Sequence, residues 1–77
     1  MADVEMGISP MYRILKKSGA DRVSDESASE LRRVTEEMAG RIAQNAVELA
    51  THAGRKTVRA EDVRLASKML EQRSSMI

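Results

Sequence analysis

Apolar residues recur at Leu31, Val34, Met38, Ile42, Leu49 and Ala53. This three-or-four-residue spacing predicts one long helix over 24–53. A second set, Ala28, Ala39, Ala43, Ala46, Val47 and Ala50, widens the apolar stripe onto a neighbouring face. The start is marked by Ser24, whose hydroxyl can cap the first turn, and by Asp25 and Glu26, which the helix dipole favours there. Gly54 marks the end, in the position where helices commonly stop. A helix of that length spans roughly 45 Å, too long for a small monomer to wrap.

Shorter helices flank it. Ser9-Pro10 predicts a start, with the serine as cap and the proline at the first helical position, for a helix over 10–18 ended by Gly19. Met11, Ile14 and Leu15 form its apolar stripe. A short connector follows, with Val23 extended and buried. A second connector runs from Gly54 to Arg59, and a third helix is expected over 60–72, with Glu61 and Asp62 in its first turn and Val63, Ala66, Met69 and Leu70 as its stripe. The resulting division is a short irregular N-terminus (1–8), an all-α domain (9–72) and a C-terminal tail (73–77). On the polar face of the long helix, Arg33–Glu37 and Glu37–Arg41 stand at i,i+4 with opposite sign.

The two short helices can cover only part of the central one. Its wide apolar arc would leave a large patch in water, and a two-fold partner whose long helix crosses it buries that patch with one surface used twice. Composition strengthens the expectation of an obligate dimer. The chain has 77 residues, no Cys and a single aromatic residue, Tyr12. So small a core, without disulfides, gains most from association. The apolar runs fall short of the roughly 20 residues that span a membrane, and Met1–Gly7 lacks the basic-then-apolar order of a signal peptide. A cytoplasmic, soluble protein without a membrane partner is expected.

Enzyme chemistry finds little support. One His and scattered Asp residues make no nucleophile elbow, phosphate loop or paired-ligand spacing, so no catalytic residue, metal site or cofactor is expected. A lone helical His such as His52 is as a rule a polar or interface residue, because a metal site needs several convergent ligands. Charge placement is more telling than the net charge of +1. Arg13, Lys16, Lys17 and Arg22 face only Asp21 in their stretch, and Arg55, Lys56 and Arg59 stand without an acid between them. The first half of the long helix is acidic in compensation. Basic clusters are weak signals alone and equally describe solvated loops, but here they lie beside helix starts, whose free amides favour phosphate.

The run Ala53-Gly54-Arg55-Lys56-Thr57-Val58-Arg59-Ala60-Glu61-Asp62-Val63 resembles the loop and third-helix start of archaeal histones. Arg13-Ile14-Leu15-Lys16, Gly19-Ala20-Asp21-Arg22-Val23-Ser24 and Glu36-Glu37-Met38 fall where that family has similar runs, so the likeness covers roughly residues 8–69 without gaps. The resemblance implies the histone fold, short helix–long helix–short helix, as an intertwined head-to-tail dimer. It implies a chromosomal protein, nucleoid-associated, that binds double-stranded DNA without base readout and wraps, bends and compacts it in nucleosome-like particles. Carried over residue by residue, Arg22, Arg55, Lys56 and Thr57 serve sites where the two connectors pair, and Arg13 and Lys16 serve a site where the two first helices meet, Arg13 entering the minor groove. Leu49, His52, Asp62 and Leu65 match a dimer–dimer contact through which homodimers build higher oligomers. Arg55 and Asp62 also match an intrachain pair, and Gly19 a small residue that permits close stacking of turns.

The sequence departs from the family in places. Tyr12 stands where smaller residues are common, and Arg64 and Arg33 are both basic where the family can pair an acid with a base, which weakens extended stacks. Alternative readings are a histone-fold scaffold that heterodimerises, for instance with a paralogous histone, in a transcription or chromosome-associated complex, and a plain helical dimer with no nucleic-acid partner. Against both stands the joint presence of Arg13, Arg22, Lys56 and Thr57.

Overall fold

A computed structural model describes residues 7–75, with side chains described as far as Gln72. The expected N-terminal segment lies outside the described residues up to Met6, as do Met76 and Ile77 of the expected tail. The described residues form three helices, α1 (Ser9–Lys17), α2 (Asp25–His52) and α3 (Ala60–Ser75), and no strand. The long central helix is 28 residues, about 42 Å of rise. The architecture is the expected all-α, short–long–short arrangement, with α3 longer than its stripe suggested. It runs on to Ser75, because nothing from Glu71 to Ser75 breaks a helix, and the first residues of the expected tail are therefore helical.

Both connectors leave their helices through the same device. At the end of α1, the Gly19 amide donates to the Lys16 carbonyl at 3.0 Å and the Ala20 amide to the Leu15 carbonyl at 3.1 Å. At the end of α2, the Gly54 amide donates to Thr51 at 2.9 Å and the Arg55 amide to Ala50 at 2.9 Å. This paired pattern is the Schellman motif, and it requires a left-handed residue at its centre. Gly19 has φ 114° and Gly54 φ 76°, a region costly for residues with a Cβ.

The helix starts differ. Ser24 caps α2 as expected, its hydroxyl accepting from the Ser27 amide at 3.1 Å. Ser9 does not cap α1. It is the first helical residue, the Ile8 carbonyl receives the amides of Met11 and Tyr12, and no side chain caps this end. Pro10 sits in the first turn, where its missing N–H costs nothing. At α3 the cap residue is Arg59, and Asp62 reaches back to accept its amide at 2.8 Å, the returning half of a capping box.

The chain divides into two compact parts, residues up to Met38 and residues from Ala39. In the first, Met11 (1% exposed) and Ala28 are buried. In the second, the buried apolar residues are Ala46, Ala50 and Ala66. The alanine set, rather than the larger stripe, is thus what the chain buries by itself. Val34, Met38 (52% exposed) and Val47 (51%) remain open to water, as do Val63, Leu65 and Met69 of α3 and Ile14 of α1. Leu15, Val23, Leu31, Ile42, Leu49 and Leu70 are half-buried. On the polar face Arg33 sits between Glu30 and Glu37, 3.5 Å from the latter, whereas no Glu37–Arg41 pair forms among the described residues. Such exposed pairs contribute a few tenths of a kcal/mol.

Candidate nucleic-acid interface

The second connector is the better braced of the two. Arg55 spans it: one guanidinium nitrogen donates to the Thr57 carbonyl at 3.0 Å and to Asp62 Oδ2 at 2.9 Å, and the other donates to Asp62 Oδ1 at 2.9 Å. This bidentate pair is the strong kind of charge-assisted contact, and it is shielded, with Asp62 only 5% exposed. Hydrogen bonding from Arg55, then from the Arg59 amide, brings the Asp62 carboxyl down to about 2 from its ordinary 3.8. The same pairing pushes the Arg55 guanidinium up, so both partners stay ionised. The loop between them is held in one shape, and Lys56, Thr57 and Val58 project from it into solvent. Val47, Ala50, Thr51, Gly54, Lys56 and Val58 line a shallow groove beside it.

The first connector has a lighter brace. Lys16 Nζ donates to the Asp21 carbonyl at 3.0 Å, crossing the loop. Arg22 beyond it is exposed, and so is Arg13 on α1. Neither has an ion pair among the described residues. The Tyr12 hydroxyl donates to Asp25 Oδ1, joining α1 to the first residue of α2.

The sequence-predicted residues therefore fall into two kinds. Arg13, Arg22, Lys56 and Thr57 present exposed side chains, whereas Lys16 and Arg55 are engaged with their own connectors. Of the expected dimer–dimer set, His52 and Leu65 are exposed and Leu49 is half-buried. Asp62 is buried and already accepts from Arg55 and Arg59, which leaves little of its carboxylate for a further donor. Sequence reasoning missed the Lys16 clasp, the Asp62 reach-back and the Tyr12–Asp25 contact. The second had a signal, an acid three residues after the cap position. The other two join residues whose side chains meet only once the chain has turned. Among the described residues no group of His, Asp or Glu could hold a metal ion, and no helix is long and apolar enough to cross a membrane.

Three helices with this length pattern, joined by braced basic connectors that begin at Schellman glycines, define a histone-fold protein of the DNA-binding, chromosomal class. Known sequences agree. The profile of the family described as histone-like transcription factor (CBF/NF-Y) and archaeal histone matches residues 4–66, and the chain belongs to that family. It is 52% identical over 64 residues to the archaeal histone HAN1 of Thermococcus zilligii, a match covering 83% of this chain and 96% of that protein. It is 48% identical over 62 residues to probable archaeal histone 3 of Methanocaldococcus jannaschii, covering 80% of this chain and 92% of the relative.

Proposed function

We propose that the protein forms head-to-tail homodimers which bend, wrap and compact duplex DNA without reading its sequence, as a chromosome-associated architectural protein. The observation that carries this reading is the second connector. A loop held rigid by Arg55 and Asp62 presents Lys56 and Thr57 outward, the arrangement that suits a phosphate backbone met always in one geometry. Phosphate contacts position a protein on the duplex and carry no base information. Arg22 adds a cation on the other connector, and Arg13 supplies the arginine that histone-type wrapping inserts into inward-facing minor grooves. The exposed apolar residues Val34, Met38, Val47, Val63 and Met69 support dimerisation, since a second copy removes them from water. Larger assemblies on DNA would use Leu49, His52 and Leu65, with the buried Asp62 holding their frame through Arg55.

The test is a gel-shift titration on random-sequence duplex DNA at several salt concentrations, with Lys56→Ala as the comparison. Wild-type binding should be tight at low salt and weaken steeply with added salt. The variant should bind more weakly at every salt concentration and show a log–log slope smaller by about 0.9, the loss of one neutralised phosphate. No binding at low salt would overturn the wrapping reading and favour a histone-fold scaffold acting with another chain.

A further inference from the structure

We propose that Tyr12 is a positioning residue for the first-helix DNA site: its hydroxyl, bonded to Asp25, clasps the start of α1 to the start of α2 and so fixes Arg13. The inference rests on the DNA-wrapping reading and adds to it a residue that contacts no phosphate itself.

α1 has 9 residues, fewer than the roughly 12–15 at which an isolated helix becomes even marginally stable in water. Its N-terminal end has no side-chain cap and no acidic residue in its first turn. Its placement must therefore come from contacts outside itself. Met11, buried, anchors one side. Tyr12, the chain's only aromatic residue, is half-buried and supplies the other anchor through its hydroxyl. The acceptor is well chosen. Asp25 opens α2 directly after the Ser24 cap, where the helix dipole favours an ionised carboxylate. A phenol donating to a carboxylate is a charge-assisted bond, stronger than one between neutral groups. Arg13 follows Tyr12 immediately and has no ion pair of its own among the described residues, so its reach depends on how firmly this turn of α1 is held. Farther along, Lys16 ties the end of α1 to the Asp21 carbonyl. The two contacts fasten both ends of a helix too short to hold itself.

The test uses the full-length protein and random-sequence duplex DNA. Tyr12→Phe keeps the ring and removes only the hydroxyl. It should lower affinity roughly fivefold, the effect of one modest hydrogen bond, while the salt slope stays at the wild-type value because no phosphate contact is lost. Arg13→Ala should lower both affinity and slope. The double variant should bind like Arg13→Ala alone, since a positioning effect has nothing left to position. A Tyr12→Phe variant that binds as wild type, or losses that multiply in the double variant, would overturn the proposal. The clasp can be read separately. Tyrosine emission reports on Tyr12 alone and is quenched by an accepting carboxylate, so Asp25→Ala should brighten it, and unchanged emission would also overturn the proposal. If the wild-type protein does not bind DNA, the wrapping reading fails and the positioning role with it. If it binds and only Tyr12→Phe is silent, the positioning role fails alone.

Discussion

Asp62 is the residue on which most local structure converges. It accepts from two nitrogens of Arg55 and from the Arg59 amide, and so closes the second connector and starts α3 at once. Its carboxyl lies at about 2 in the folded chain against 3.8 ordinarily, so the unfolded state binds the proton more readily. The stability that follows from this difference is fully present above pH 3.8 and is lost as pH falls toward about 2. Urea unfolding monitored by circular dichroism from pH 5 downward should show wild-type stability dropping across that window. Asp62→Asn, less stable at pH 5, should show a flatter profile there. Glycines offer a second contrast. Gly54 is left-handed at φ 76°, so Gly54→Ala should destabilise by about 1 kcal/mol. Gly40 lies inside α2 at an ordinary helical φ, and a Cβ built there meets nothing within 4 Å of its own chain. Gly40→Ala should stabilise by roughly 0.5–1 kcal/mol. The same chemical denaturation curves decide both signs.

Among the elements, α2 shows how well local rules can work. The Ser24 hydroxyl, the acids of the first turn and the Gly54 turn bound it within a residue of where the sequence places it. Ser24→Ala should therefore cost about 1 kcal/mol, measurable as a lowered midpoint of thermal unfolding, while Ser9→Ala should cost little, because Ser9 caps nothing. The difference between these serines was not legible locally. Both precede a helix-forming run, and Pro10 made Ser9 the more persuasive signal. The Ile8 carbonyl instead begins the first turn, which draws Ser9 into the helix and removes it from the cap position. The end of α3 was misplaced for a related reason. Loss of apolar periodicity after Leu70 suggested a tail, but a helix needs a breaker to stop, and none stands before Ser75.

For the whole molecule, the decisive fact is how little the chain buries alone. The larger apolar side chains of α2 and α3 stay exposed, and the buried positions are mostly alanine. A homodimer resolves this, and its stability then depends on protein concentration. The thermal midpoint should rise with concentration for the wild type. Met38→Lys, placing a charge on the exposed apolar arc, should lower that midpoint at a fixed concentration and shift the protein toward monomer in analytical ultracentrifugation. A concentration-independent midpoint would argue against the dimer.

Helix number, order and approximate length were written in the sequence, because periodicity, caps and glycine turns are local signals that each stretch carries by itself. The basic character of both connectors was equally legible, and with it the set Arg13, Arg22, Lys56 and Thr57. What only tertiary structure decided was which basic residues face outward and which hold the fold. Lys16 and Arg55 look like their neighbours in the sequence, yet one reaches the Asp21 carbonyl and the other the Thr57 carbonyl and Asp62. The same holds for Tyr12, whose partner Asp25 lies a full connector away. The physical reason is common to these cases. A helix or a turn is set by residues within a few positions of one another, whereas the partner of a long side chain is set by where the backbone brings a distant carbonyl or carboxylate, and no local pattern encodes that meeting.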